Sequence, residues 1–265
     1  MDAYNYYFYE NADQRTLNWF LAGSPFPMLG VIFTYLSLVY WIVPKFMENR
    51  KPYQMKTFLG FYNLFQVVYC VYVVAMCFQA GWWFDYFYKC YETDYSYDPK
   101  AVKMVEMTWY ILFIKFLELL ETIIFVLRKK QNQVSFLHVY HHISTFFIAY
   151  IFCKYIGGSM LTFSIVVNSV VHIIMYSYYF ISAYDVAIFK LIASKVKRYI
   201  TSIQLIQFGL LTVNNFAGLQ PGCNTSKPFL AMYIPNIFVL IYLFRDFYRK
   251  SYEKKRSAAV DRKLE

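Results

Sequence analysis

Three of the four histidines lie within five positions, His138, His141 and His142 in the string HVYHH, and the fourth is His172. At 100° per residue the three fall within an arc of about 100° on one helix face. Imidazole can ligate a metal, carry a proton, or attack an acyl carbon. A second set, Lys115, Glu118, Glu121 and Thr122, stands in KFLELLET, and Lys115 and Glu118 are spaced to pair. Asn168, His172, Tyr176 and Tyr179 recur at helical spacing, as do Thr201, Gln204 and Gln207.

Each set also has a plainer explanation. A single histidine in an apolar run is commonly a satisfied core residue, but three on one face point to function. Lys115 and Glu118 could be a structural ion pair, and Thr201, Gln204 and Gln207 could serve only as hydrogen bonds between helices. Against that, a charged group at the centre of a membrane helix costs roughly 2.5–3.5 kcal/mol on insertion scales, which favours a chamber that uses it.

HxxHH spacing occurs in membrane di-iron enzymes, and imidazole suits iron or zinc. Di-iron sites draw on many more than four histidines, and no cysteine lies near for a zinc thiolate, so the expectation is no metal. The other reading is nucleophilic and acid–base chemistry. A neutral, buried imidazole attacks a thioester and carries the acyl group, while a second histidine holds or moves the proton. His141 and His172 on facing helices would supply the two.

These residues need apolar elements to hold them. The chain has 265 residues, 59% hydrophobic and only 16% charged, against about 25% charged in soluble domains. Aromatics make up 23%, and tyrosine and tryptophan favour membrane boundaries. A span needs about 20 mostly apolar residues, which predicts seven, roughly 26–43, 58–80, 105–127, 137–156, 160–184, 199–219 and 229–247. The reading is one all-α integral membrane domain over 1–265. The N-terminus, MDAYNYYFYENADQ, does not read as a cleavable signal.

Lys and Arg divide nineteen to six between alternate sides, with Lys115 inside the third span. The rich side belongs in the cytosol, so the N-terminus is lumenal and the C-terminus cytosolic. This asymmetry accounts for the net charge of +10 better than nucleic acid, because the basic residues form no single stripe. All the intramembrane polar groups are then expected at mid-depth or toward the cytosol. Such a pocket suits a substrate with a polar head and a long apolar tail.

Of five cysteines, Cys70, Cys77 and Cys153 fall in spans and read as apolar packing. Cys90 and Cys223 fall in two lumenal loops, where spacing alone leaves a bridge and two free thiols both open. Asn224-Thr225-Ser226 fits a glycosylation acceptor, in a short loop expected to be poorly used.

The ordered strings resemble those of the very-long-chain fatty acid elongase family, membrane 3-ketoacyl-CoA synthases of the endoplasmic reticulum. Lys115-x-x-Glu118-x-x-Glu121-Thr122 is similar to the family's KxxExxDT, and residues 127–142, LRKKQNQVSFLHVYHH, to its central block. Asn168-x-x-His172-x-x-Met175-Tyr176-x-Tyr178-Tyr179 is similar to NxxHxxMYxYY, and Thr201-x-x-Gln204-x-x-Gln207 to TxxQxxQ. HxxHH alone is weak; four strings in order are specific. One departure is Glu121, where the family usually has Asp.

The resemblance implies spans two to seven in a ring around a narrow tunnel, with span one outside. It implies that His141 takes the acyl group from acyl-CoA and that His172 contributes opposite it. Malonyl-CoA then loses carbon dioxide and attacks, giving a 3-ketoacyl-CoA two carbons longer. His138, His142, Lys115, Glu118, Glu121, Asn168, Tyr176, Gln204 and Gln207 would shape the pocket, and the family's lumenal disulfide matches Cys90 and Cys223. No cofactor beyond the two CoA substrates is implied. The partners are the bilayer, the reductases and dehydratase of the same cycle and, since family members can dimerise, a second copy. The terminal Arg262-Lys263-Leu264-Glu265 is similar to a dilysine retrieval signal. The competing classes are a seven-span transporter or receptor, and a metal-dependent lipid oxidase.

Overall fold

The computed structural model of the chain describes residues 3–184 and 186–253, which form helices and connecting turns with no strand among them. The first long helix, α1, is Pro25–Met47, with a π-helical stretch at Leu38–Ile42. The others are α2 Lys56–Gln79, α3 Pro99–Glu118, α4 Leu120–Leu127, α5 Phe136–Tyr155, α6 Thr162–Ala183, α7 Ala187–Ala217 and α8 Lys227–Tyr248.

Local sequence sets several of these starts. Asp98 caps α3 by accepting from the Lys100 amide, and Pro99 follows at the first helical position, where its missing N–H costs nothing. Ser135 caps α5 by accepting from the His138 amide at 3.2 Å, so the histidine string opens that helix. Ser226 does the same for α8. The turn into α6 needs Gly157-Gly158. Gly158 has φ +86, and a Cβ on Gly157 would press on Thr108 and Val105 at 3.2 Å.

Five helices are long and apolar enough to cross a membrane: α1, α2, α5, α6, and α8 prolonged to Tyr252. Bulky apolar side chains face outward on them, among them Phe33, Trp41, Phe61 and Tyr242, each at least 70% exposed. Apolar surface on that scale needs a bilayer to cover it, and the protein is a multi-pass membrane protein.

The third and sixth expected spans are helical but do not meet the same measure. Residues 105–127 are divided between α3 and α4 at Leu119, and α3 carries Lys100, Lys103, Glu106, Lys115 and Glu118. Residues 199–217 of the sixth expected span lie within the longer α7, whose first turns are basic, and 218–219 form the turn after it. On α3 the buried Lys115 and Glu118 lower the mean hydropathy without exposing charge to lipid, whereas Lys195, Lys197 and Arg198 on α7 are exposed.

Packing joins the helices in neighbouring pairs. α2 lies against α3 and α6, α7 against α6 and α8, and α5 against α3 and α8, while α1 touches α4 and α5. The core between them includes Met107, Leu112, Ile114, Phe146, Tyr150 and Met160.

The end of the bundle away from the histidines holds buried polar groups, contrary to the sequence expectation. Thr108, Lys154, Asn214 and Asn215 are all fully buried there. Lys154 closes α5 and donates to the carbonyls of Ala22 and Gly23 at 3.1 and 2.8 Å. Asn214 donates to Tyr86 and Phe87 carbonyls, each at 3.0 Å. Lys154 and Asn214 thus tie loops to helix ends through backbone acceptors far away in sequence, while Thr108 and Asn215 donate to carbonyls of their own helices.

At this end Cys90 is joined to Cys223, fastening the segment before α3 to the one before α8. Asn224 donates to Glu92 at 2.9 Å beside the bridge. Nearby, the Tyr91 hydroxyl and the Lys89 ammonium hold the Asp85 carboxyl below its usual range. The terminal string 262–265 lies outside the described residues.

Candidate active site

Two glutamates organise the polar centre. Glu118, at the last turn of α3, is buried, as is Lys115 one turn earlier. The Lys115 ammonium donates to both Glu118 oxygens at 3.0 Å. Across the interface, His172 Nδ1 from α6 lies 3.1 Å from Glu118 Oε1. One carboxylate therefore meets a cation from its own helix and an imidazole from another. A buried charge with two such partners is held in one place.

Glu121 opens α4, just past the break at Leu119. Its Oε1 accepts from Tyr176 of α6 and from Tyr62 of α2, the latter at 3.3 Å. Its Oε2 lies 3.5 Å from His142 Nε2 of α5. Thr122, next in the string, exchanges a 2.8 Å hydrogen bond with Tyr35, so α1 is fastened to the same motif.

The three clustered histidines do not share one environment. His138 and His142 are 4.3 Å apart by ring centroids, and His138 also meets Phe125 at 5.1 Å. His141 lies 5.5 Å from the His142 ring and 6.0 Å from Phe244 of α8, which in turn packs on Phe208 of α7. His141 is half-buried, and its carbonyl accepts from Thr145 at 2.7 Å. Its imidazole thus faces an aromatic wall, while the other two face the Glu121 carboxylate.

The remaining candidates lie around this centre. Asn168 is half-buried one turn before His172. Tyr176 is buried against His172 and Tyr62, whereas Tyr179 is 41% exposed and turns outward. Gln204 reaches the Met175 sulfur at 3.5 Å, and Gln207 and Thr201 are buried on α7. Glu118, Glu121, His142, His172 and Tyr176 are thus linked by direct contacts. Gln204 joins only through Met175.

Sequence reasoning missed Tyr62 and Gln66 on α2. Gln66 is fully buried and donates to the Tyr62 hydroxyl at 2.8 Å. An amide in the middle of an apolar run was the available signal, because such a group needs a partner inside the protein.

Glu121, His138 and His142 could be considered as metal ligands, since one donor atom from each lies within 4.8 Å of the others. The Glu121 carboxylate already accepts from two phenols. The observed arrangement favours hydrogen-bond chemistry: carboxylates that hold imidazoles, with apolar helix surface beyond them.

Residues 20–260 match the model of the ELO family, GNS1/SUR4. The chain is 38% identical over 253 residues to "Very long chain fatty acid elongase 7" of Rattus norvegicus, covering 93% of this chain and 89% of that one. It is 36% identical over 263 residues to "Very long chain fatty acid elongase AAEL008004" of Aedes aegypti, covering 98% and 73%. It is 37% identical over 250 residues to "Very long chain fatty acid elongase 1" of Homo sapiens, covering 92% and 88%.

Proposed function

Because this chain belongs to the ELO (GNS1/SUR4) family, we propose that it is a fatty acid elongase that condenses long-chain acyl-CoA with malonyl-CoA. The observation that carries the reading is the meeting of separate strings on two carboxylates. Glu118 receives Lys115 and His172, and Glu121 faces His142. Full-length similarity to named elongases adds the substrate class.

In the proposed reaction His141 attacks the acyl-CoA thioester. A C–N bond forms, the C–S bond breaks, and coenzyme A leaves with a proton. Malonyl-CoA then loses carbon dioxide, and the carbanion attacks the acyl carbon. The new C–C bond forms as the C–N bond breaks and the released imidazole nitrogen regains a proton from solvent, which frees His141 and gives a 3-ketoacyl-CoA two carbons longer. His172, held at Nδ1 by Glu118, presents Nε2, which takes up a proton and then donates a hydrogen bond to the oxygen on which charge develops. Lys115 holds the Glu118 carboxylate in place for that task. No cofactor is required beyond the two CoA substrates.

The same reading sets the architecture. The neighbour relations close a cycle α2–α3–α5–α8–α7–α6, with α1 outside it against α4 and α5. We take the chain through the bilayer seven times, as six spans around an acyl tunnel. The excess of Lys and Arg places the histidine end at the cytosol, where both CoA substrates are available. That orientation fits the endoplasmic reticulum, with the Cys90–Cys223 bridge in its oxidising lumen.

The test is product formation by purified protein in lipid nanodiscs with saturated or unsaturated acyl-CoA of graded length. The expected result is 3-ketoacyl-CoA that requires malonyl-CoA. No product from any chain would overturn the reading.

A further inference from the structure

The Glu121 carboxylate is held from two sides before it meets His142. Tyr176 of α6 and Tyr62 of α2 both donate to Oε1, which leaves Oε2 toward His142 Nε2. Tyr62 is itself aligned by Gln66, one turn on along α2, whose amide donates to the phenol oxygen at 2.8 Å. The Tyr62 hydroxyl also lies 3.4 Å from the Leu117 carbonyl, beside the Leu119 break between α3 and α4. Five helices, α2 to α6, thus meet through one phenol and one carboxylate.

The consequence falls on His142. Its Nε2 faces a carboxylate, so that nitrogen carries the proton and Nδ1 is left as the bare acceptor. Among the described residues Nδ1 is buried without a hydrogen-bond partner, as is Nε2 of neighbouring His138. A ring fixed in this tautomer presents a lone pair beside the His141 ring, 5.5 Å away between centroids. The longer glutamate side chain matters here. Reach from α4 to phenols on α2 and α6 as well as to α5 is what one fewer methylene would shorten.

We propose that Tyr62 is a positioning residue for the condensation, acting through Glu121 to hold His142 in one tautomer, and that this pocket is fitted to glutamate at position 121. The proposal rests on the elongase reading. Loss of the Tyr62 hydroxyl loosens Oε1, lets the carboxylate swing from His142, and slows turnover without altering where either CoA binds.

The experiment is a double-mutant cycle on the full chain in nanodiscs, with Tyr62→Phe, Glu121→Asp and the pair. It measures kcat and KM for acyl-CoA and malonyl-CoA, with thermal unfolding of each variant. A charge-assisted hydrogen bond lost only from the reacting arrangement predicts a fall in kcat of about tenfold for Tyr62→Phe, with both KM values kept. In the Glu121→Asp background, already slowed, the same change is expected to cost less than twofold, because the shorter carboxylate no longer engages Tyr62. Wild-type turnover by Tyr62→Phe overturns the proposal, as does an equal fall in both backgrounds, or a loss confined to thermal stability. If Glu121→Asp matches the wild type, the fit to glutamate is refuted. An inactive wild type refutes the elongase reading instead, so the two failures are told apart.

Discussion

Glu118 Oε1 lies 3.1 Å from His172 Nδ1, and its carboxylate is held by Lys115 at 3.0 Å. The residues come from α3 and α6, which joins two sequence strings 54 positions apart into one hydrogen-bonded unit. An imidazole held at Nδ1 presents only Nε2 to the rest of the pocket, so its chemistry is set by the neighbouring carboxylate.

Glu118→Gln leaves the Lys115 charge buried without its counter-ion. Breaking such a pair costs about 3–5 kcal/mol, so the variant should unfold at distinctly lower temperature and lose turnover. Adding Lys115→Met should restore most of the stability and none of the activity. Thermal unfolding beside the condensation assay checks this. A stable, active Glu118→Gln protein would remove the glutamate from the account.

Thiol counting tests the bridge. The protein has five cysteines, with Cys90 bonded to Cys223 and Cys70, Cys77 and Cys153 free. Denatured without reductant it should titrate three thiols, and five after reduction. Five at the outset would contradict the bridge.

Lys154→Met should be costly although it lies far from the histidines. The change leaves the carbonyls of Ala22 and Gly23 without their donor in a dry site. Each orphaned acceptor costs about 1–3 kcal/mol. Thermal unfolding should report the loss, while the folded fraction keeps its KM values. An unchanged midpoint would mean that these carbonyls find other donors.

Metal removal should leave turnover intact, because Glu121 is engaged by Tyr62, Tyr176 and His142. Dialysis against a strong chelator, followed by elemental analysis and assay, checks it. Activity lost with one equivalent of zinc or iron, and regained on its return, would move Glu121, His138 and His142 to ligand roles.

The reach of the sequence differs between kinds of group. Charges in apolar runs stood out, because Lys115, Glu118 and Glu121 have no business in lipid unless they meet inside the protein. The histidines stood out by their phase on a helix. Tyr62 did not, since it is one of 28 tyrosines and only its contact with Glu121, 59 positions away, gives it meaning. The break at Leu119 has neither glycine nor proline to announce it. The role of Lys154 did not show, because its partners are main-chain carbonyls near residue 22, which no side-chain pattern reveals. Apolar runs marked the span boundaries to within a few residues on α2, α5, α6 and α8, but could not show that α7 starts at Ala187.

The central claim is that His141 carries the acyl group. Intact mass of purified protein incubated with long-chain acyl-CoA alone tests it, with His141→Ala alongside. The account predicts one added acyl mass on the wild type and none on the variant, discharged as 3-ketoacyl-CoA when malonyl-CoA is added. Steady formation of 3-ketoacyl-CoA by His141→Ala, or an adduct that survives the substitution, would contradict it.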